Sequence, residues 1–504
     1  MNSAYFLTAL VFSPLLGVLL LSFIPKTQES TIKLVGFLAT LPALILSLVA
    51  YFQYRAGANL DQYSVAYNWI QFGGADPQIK DFGLFSVKYE LGVDGFSLIM
   101  IVLTAVLSTL AAIASVHIKK EWKGYFMLFL LLELGMLGVF AAENLILFFI
   151  FFEITLIPMF FLIGKWGYHE KEKAAYSFLI YNGLGSAVLL IVIMVLFAKA
   201  RTANIEALQQ IMMIENGPIS DTVKMGLLIA LLVAFGVKLP IFPLHSWMLR
   251  VHVQAPPSIV MLHSGILLKI GAYGLIRFGM GLFPEQFKTL AVLLAILGVV
   301  NLLYGAFLAF IQEDFKMVLA YSSISHMGIV LIGLGALNEA GIQGAIFQVV
   351  SHGLISALLF FLVGVFYERF HTSHINKLGG MAKGMPITAG FLLAGAMASL
   401  GLPGMSGFVS EFMAFLGLFK EMPIIAAIGC IGIIMTAVYL LRAVLGITYG
   451  KAQRDFVGVT DLKSVEFIPV LVLVGFIVLI GVYPSVLSEP LKTTLETIML
   501  GLGG

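Results

Sequence analysis

An all-α integral membrane protein with about fourteen transmembrane helices is the architecture this sequence predicts, and three observations predict it. Of 504 residues, 60% are hydrophobic and only 11% charged, against about 25% charged in soluble domains. The apolar residues fall into runs of roughly 20, the length that crosses a bilayer. Between the runs lie short polar connections, with no stretch fit for a separate soluble domain. The net charge of +2 gives no reason to expect nucleic acid or an acidic partner. A single cysteine, Cys430, rules out an internal disulfide, and an iron–sulfur cluster ordinarily needs about four. Neither a Walker motif nor a dinucleotide-binding glycine motif occurs, so nucleotide chemistry is not expected of this chain.

Span one, 4–24, has no basic segment before it and is too long for a cleaved signal, so it reads as a retained helix. Span two, 31–54, leads into the one long polar connection, 55–93, which holds Trp69, Gly73, Gly74 and Pro77 and reads as a surface loop. Spans three to six follow at 94–116, 124–142, 145–164 and 175–198. Span seven, 223–246, is interrupted by FGVKLPIFPLHSW, 235–247. Its two prolines each remove an N–H and cost roughly 3 kcal/mol inside a helix. The carbonyls of Gly236 and Leu239 are expected to lose their donors, which at membrane depth is tolerated where they line protein or a hydrated cavity. Spans eight to eleven are 256–280, 286–311, 316–336 and 341–368. Span twelve, 386–419, is interrupted by SLGLPGMSGFVSEF, and 422–448 and 466–488 complete the series.

Two interrupted helices, one in each half, are what transporters with inverted repeats use. If spans four to eight repeat as nine to thirteen, the chain divides into an N-terminal part, 1–122, two inverted five-helix units, 123–281 and 282–448, and a C-terminal loop with span fourteen, 449–504. Connections after odd-numbered spans carry about 17 lysines and arginines against 9 after even-numbered ones. The positive-inside rule therefore puts the odd connections in the cytoplasm and both termini outside.

With loop charges removed, Glu133, Glu153, Lys238, Lys269 and Glu411 remain inside spans. A charge at the bilayer centre costs roughly 2.5–3.5 kcal/mol, so each suggests function. Glu153 has almost no polar neighbour in sequence and must find its partner on another helix. Glu133 is similarly isolated, although an interhelical hydrogen bond would also explain it. Glu143 reads as a helix-end residue and is set aside. Lys238 lies too deep to reach an interface, and Lys269 is mid-span with Tyr273 one turn on. A buried lysine can release and regain a proton near neutral pH where an arginine does not. Ser322 with His326, and Gln348 with His352 and Ser356, form stripes at helical spacing that can hold a water chain beside groups titrating in the useful range. Glu411 would stand about 12 Å beyond Pro403 were the helix continuous. In order, these residues suggest a proton relay from Glu153 and Lys238 through Lys269, His326 and His352 to Glu411.

The same stretches carry a family resemblance. GVDGFSL (92–98), FFEITLIPMFFLIGKWG (151–167), FGVKLPIFPLHSW, GILLKIGAYGLIRF (265–278), DFKMVLAYSSISHMG (314–328), SHGLISALLF (351–360) and GLPGMSGFVSEF (401–412) resemble the antiporter-like M subunits, or chain 4, of NADH–quinone oxidoreductase, respiratory complex I. The resemblance implies two inverted five-helix repeats with helices seven and twelve broken. It implies Glu153 and Lys238 as a gating pair, Lys269 as central relay, His326 and His352 along a hydrated axis, and Glu411 as terminal carrier. It further implies L-type and N-type neighbours with small membrane subunits, in a bacterial cell membrane. NADH, FMN, iron–sulfur clusters and quinone would then belong to those partners, leaving no cofactor in this chain. One stretch departs from the pattern: where the family has Trp-Leu-Pro-Asp-Ala-His, this chain reads Trp247-Met248-Leu249-Arg250-Val251-His252, with an extra His263 two turns before Lys269. Two other functions compete, a subunit of a multisubunit sodium/proton antiporter on the same fold and a membrane anchor whose charges only fix packing.

Overall fold

A computed structural model describes residues 5–72, 85–214, 217–452, 455–456 and 458–503. Gly73, Gly74 and Pro77 of the polar connection lie outside the described residues. Among the described residues the regular structure is helical except for one hairpin. Among the described residues twelve helices are long and apolar enough to cross a membrane, or thirteen if Ile375–Lys383 and Pro386–Ser399, bent by 116°, count as one span. Side-chain caps mark where many helices begin. Asp94, Asn144, Asp314 and Asn338 each accept hydrogen bonds from the first free backbone N–H groups of the helix that follows.

Burial sorts the helices into an axis and a rim. All of the apolar stretch of Pro257–Met280 and of Glu339–Phe370 is buried, but only 33% of that of Pro423–Thr448 and Ser464–Val482. Phe315–Gly335 belongs with the axis, and it packs backbone to backbone on Pro284–Ile311. A Cβ on Gly298 would lie 2.7 Å from the Gly328 carbonyl oxygen, and one on Gly305 2.6 Å from the Ser325 nitrogen. Small residues allow the close approach that packing between membrane helices depends on.

Both interruptions have a defined geometry. The first helix runs Asp221–Lys238 and the chain resumes as Ser246–Gln254. The expected loss at Gly236 does not occur, because the Ile241 N–H reaches back to its carbonyl at 2.9 Å. Asn301, from Pro284–Ile311, clamps the break by accepting from the Phe242 N–H at 2.8 Å and donating to the Pro240 carbonyl at 3.1 Å. Trp247 donates its indole N–H to the Val237 carbonyl at 3.1 Å. At the second interruption Pro386–Ser399 ends and Ser406–Glu421 begins. Gly401 and Gly404 turn the chain there with φ of +81° and +91°, a region glycine enters without steric cost.

Two expectations change. The connection read as a surface loop contains a short 3₁₀ turn, Leu60–Tyr63, and an antiparallel hairpin, Val65–Phe72 with Phe85–Leu91. Its alternating Val65, Tyr67, Trp69 and Val87, Tyr89 supply the β-favouring residues. The last span ends at Val482, before Pro484, and a further helix, Ser485–Gly501, follows where loop and span were expected to share 449–504. Leu487, Leu491, Thr494 and Leu495 form its buried face, which packs on Gly95–Ala114.

Candidate functional site

Lys269 is fully buried on the short helix Leu268–Gly274, between two π-helical turns, His263–Leu267 and Leu275–Met280. Such turns put backbone groups off the usual i→i−4 ladder and recur at functional sites. The Lys269 ammonium donates to the Ser264 carbonyl at 2.7 Å and lies 2.6 Å from His352 Nδ1. The lysine is thus held from its own helix and from Glu339–Phe370.

The Lys269–His352 contact crosses into the second half of the chain, and from His352 the contacts continue there. The His352 and His326 rings are 5.5 Å apart. His326 Nδ1 lies 3.2 Å from Gln348 Nε2 and 3.4 Å from Glu411 Oε1, and its Nε2 lies 3.1 Å from Ser399 Oγ. Ser410 donates to Gln348 Oε1 at 2.6 Å, and Tyr439 donates to Ser322 Oγ at 2.8 Å. All of these side chains are buried. Glu411 does not stand 12 Å past the interruption, because the helix restarts at Ser406. Its carboxylate folds back instead, to within 2.7 Å of where a Cβ on Gly401 would be.

The first half is arranged differently. Lys238, the last residue of its helix, puts its ammonium 4.7 Å from the centre of the Phe152 ring and 5.8 Å from that of Phe178. It therefore rests on aromatic faces, with the negative end of the helix dipole at its back. Glu153, whose Oε1 is buried without a hydrogen-bond partner among the described residues, forms no direct ion pair with Lys238 among the described contacts. Between Lys238 and Lys269 stand two histidines, with His252 Nε2 and His263 Nδ1 2.9 Å apart, and His263 packs on the same Phe178. Glu133 is fully buried, and neither of its carboxyl oxygens has a hydrogen-bond partner among the described residues. The structural hydrogen bond that would have explained it is absent there.

Several members of this constellation were not singled out from sequence. Ser399 and Ser410 flank the second interruption and could have been found by asking what faces a buried histidine. Tyr439 is the one tyrosine within Pro423–Thr448. The His252–His263 contact was visible only as a departure from a pattern. A separate polar knot ties three helix ends together, with His117 Nε2 3.3 Å from Glu466 Oε1 and its other nitrogen against Glu368. These three residues have the donor spacing of a metal site. Arg369, however, already takes both Glu466 oxygens, at 2.6 and 2.9 Å, so a cation there would have to displace a bidentate guanidinium.

Comparison of the sequence and of the fold with known proteins finds relatives of both kinds. Residues 142–436 match the family described as NADH:quinone oxidoreductase/Mrp antiporter, transmembrane. NAD(P)H-quinone oxidoreductase chain 4 2 of Thermosynechococcus vestitus is 38% identical, over 98% of this chain and 91% of the relative. NADH-quinone oxidoreductase subunit M of Rickettsia felis is 34% identical, over 97% and 98%. A chain of respiratory complex I from Thermus thermophilus superposes with a TM-score of 0.85 at 28% identity, covering 99% of this chain and all of that one. A chain of the Mrp complex from a Dietzia species superposes at 0.81 over 99% of both chains with 20% identity, a likeness of fold.

Proposed function

The chain belongs to the NADH:quinone oxidoreductase/Mrp antiporter family of membrane subunits, and on that premise we propose that it is a proton-translocating membrane-arm subunit of a respiratory NADH–quinone oxidoreductase. The observation that carries the reading is the buried series of contacts Lys269–His352–His326–Glu411, contributed by four helices, the last of them beginning at the second interruption. A proton leaving the Lys269 ammonium has His352 Nδ1 as its nearest side-chain acceptor, and His326 and Glu411 offer the next sites in turn. Glu153 and Lys238 would set whether Lys269 is charged, since a cation on Lys238 disfavours a second on Lys269. Glu133 would be a further protonatable group beside the path.

Under this reading the chain makes fourteen crossings in a bacterial cell membrane. Helices 4–8 and 9–13 form inverted five-helix units with the two interruptions in equivalent places, and both termini are extracytoplasmic. Electron transfer would be done elsewhere, with NADH, FMN, clusters and quinone on partner subunits, and L-type and N-type antiporter-like chains as membrane neighbours. A sodium/proton antiporter subunit remains the second reading, favoured by the fold shared with the Mrp chain; the subunits that co-purify with this chain separate the two.

Lys269→Ala in the assembled complex tests the relay. Proton translocation per NADH oxidised should fall about 10²-fold, the scale on which a positioned proton carrier acts. Unchanged translocation with normal assembly would remove Lys269 from the path and leave the anchor reading standing.

A further inference from the structure

The relay above leads from Lys269 toward Glu411 and leaves unused the opposite side of Lys269, where two residues of the sequence motifs, Asp94 and Arg277, meet. One turn along the same helix face, Tyr273 is buried with its ring against Phe96 and Phe140. Its hydroxyl lies 2.9 Å from Ser97 Oγ. Arg277 donates to Ser97 Oγ at 3.4 Å and to Asp94 Oδ2 at 2.7 Å, and Thr494 of the last helix donates to the same carboxylate at 3.3 Å. Beyond them opens a recess of about 880 Å³ lined by Asp94, Glu143, Glu206, Arg277, Thr494 and Thr497. It lies at the end of the bundle carrying the hairpin, the end that charge bias puts outside the cell.

Two glycines of GVDGFSL exist for this corner. A Cβ on Gly92 would fall 2.1 Å from the Glu143 carboxylate, and one on Gly95 1.8 Å from the Pro490 carbonyl oxygen. Burial pushes the Glu143 carboxyl above its ordinary range; Arg277 opposes this, while Asp94, Glu90 and Glu206 add to it. A carboxyl so placed takes up and releases protons nearer to neutrality than a free one.

We propose that Tyr273 and Ser97 form a second arm of the relay, connecting Lys269 to Glu143 and the extracytoplasmic recess. The inference rests on the reading of Lys269 as a proton carrier. Tyr273 follows Lys269 by about 6 Å along the helix axis, and the proposed arm crosses from ammonium to hydroxyl on bridging water. The ammonium gives a proton to that water and becomes a neutral amine. The water passes one of its protons to the Tyr273 oxygen, which releases its own to Ser97, and Ser97 releases its own to recess water and so to the Glu143 carboxylate. The water, Tyr273 and Ser97 oxygens end with the protons they began with, the amine is one proton short, the Glu143 carboxylate holds one more, and no bond between heavy atoms changes. Asp94 and Arg277 are positioning residues. The guanidinium orients Ser97, and the carboxylate cancels a fixed positive charge that would otherwise repel a passing proton.

The whole complex in its own membrane is the object of the test, with a Cys430→Ser background. Tyr273→Phe keeps the ring and should lower proton translocation per NADH about tenfold; should it fail to assemble, Ser97→Ala asks the same question. Asp94→Asn should also lower translocation, and Asp94→Asn with Arg277→Gln should recover part of it when compared at equal content of assembled complex. Thr497→Cys labelled on spheroplasts with a membrane-impermeant trimethylammonium thiol reagent should lower translocation severalfold, while the same reagent added to inverted membranes should not. If Lys269→Ala abolishes translocation but these variants and the label leave it intact, the arm is wrong and the relay survives. Loss by label from the inverted side alone would also overturn the arm. If Lys269→Ala itself translocates normally, it is the relay that fails.

Discussion

At both interruptions a backbone N–H reaches back five residues, Ile241 to Gly236 at 2.9 Å and Leu402 to Met397 at 3.0 Å. The backbone repair is the same, but the means of turning and the charge delivered are not. The first uses Pro240 and Pro243 with an outside clamp, Asn301, and carries its cation on the last residue before the break. The second uses Gly401 and Gly404 in left-handed conformations and carries its carboxylate two turns' reach after the break, folded back onto it. Lys238 rests on phenyl faces, whereas Glu411 lies beside the imidazole of His326. A cation on aromatic rings can be released without leaving a hydrogen bond unmade. A carboxylate beside a histidine can exchange a proton in place. On the proposed function, the first half would move a charge and the second would pass a proton.

If continuity of contacts is what separates the halves, its removal should matter most where it exists. His352→Ala takes away the acceptor 2.6 Å from Lys269 and should lower proton translocation about 10²-fold. His263→Ala opens a step already lacking a hydrogen-bonded link to either lysine, and water can fill the space, so a loss of about tenfold or less is expected. Both are read as proton translocation per NADH in inverted membranes. Equal losses would mean that the His252–His263 pair is as integral to the path as His352, and that the asymmetry is only apparent.

How far this arrangement can be read from the sequence depends on whether a residue violates the bilayer. Lys238, Lys269, Glu153 and Glu411 stand out because a charge in an apolar run is costly wherever it points. The interruptions stand out because proline and glycine have local, fixed consequences. What escapes is whatever depends on which helix lies opposite. Ser399 and Tyr439 are unremarkable in sequence and acquire meaning only when His326 and Ser322 face them. Asn301 looks like any polar residue in a span until the Pro240 and Phe242 backbone arrives beside it. The hairpin was hidden for another reason. Its strands alternate over only a few residues, and a connection rich in glycine and charge is most simply taken as a loop.

Asn301 also gives the comparison a stability test. Asn301→Ala leaves the Phe242 N–H and the Pro240 carbonyl without their partner, which should cost about 2–4 kcal/mol for two unmet polar groups. Thermal unfolding of the purified complex in detergent, or proteolysis at the Ser246–Gln254 segment, reads the loss. At the second interruption side chains of other helices meet only the ends of the break, His326 at Ser399 and Ser351 at Ser406, and among the described hydrogen bonds none reaches the backbone between them, so the equivalent weakness there lies in its glycines. A stable Asn301→Ala protein would show that the two prolines, with the Ile241 and Trp247 hydrogen bonds, hold the first break without the clamp.

The glycines allow backbone cost to be told apart from placement of the carboxylate. Gly401 and Gly404 have nearly the same positive φ, so alanine at either should cost about 1–2 kcal/mol of backbone strain. Their surroundings differ. Nothing lies within 4 Å of a Cβ on Gly404, but a Cβ on Gly401 meets Glu411 Oε2 at 2.7 Å. Gly401→Ala must therefore push the carboxylate away from its position 3.4 Å from His326 Nδ1, and Gly404→Ala need not. The two variants should lose similar stability, while Gly401→Ala alone loses proton translocation, about severalfold for a displaced rather than deleted carrier. Equal translocation in the two would mean that the fold-back of Glu411 onto the break does not matter to the path, and the second interruption would then differ from the first only in how it turns.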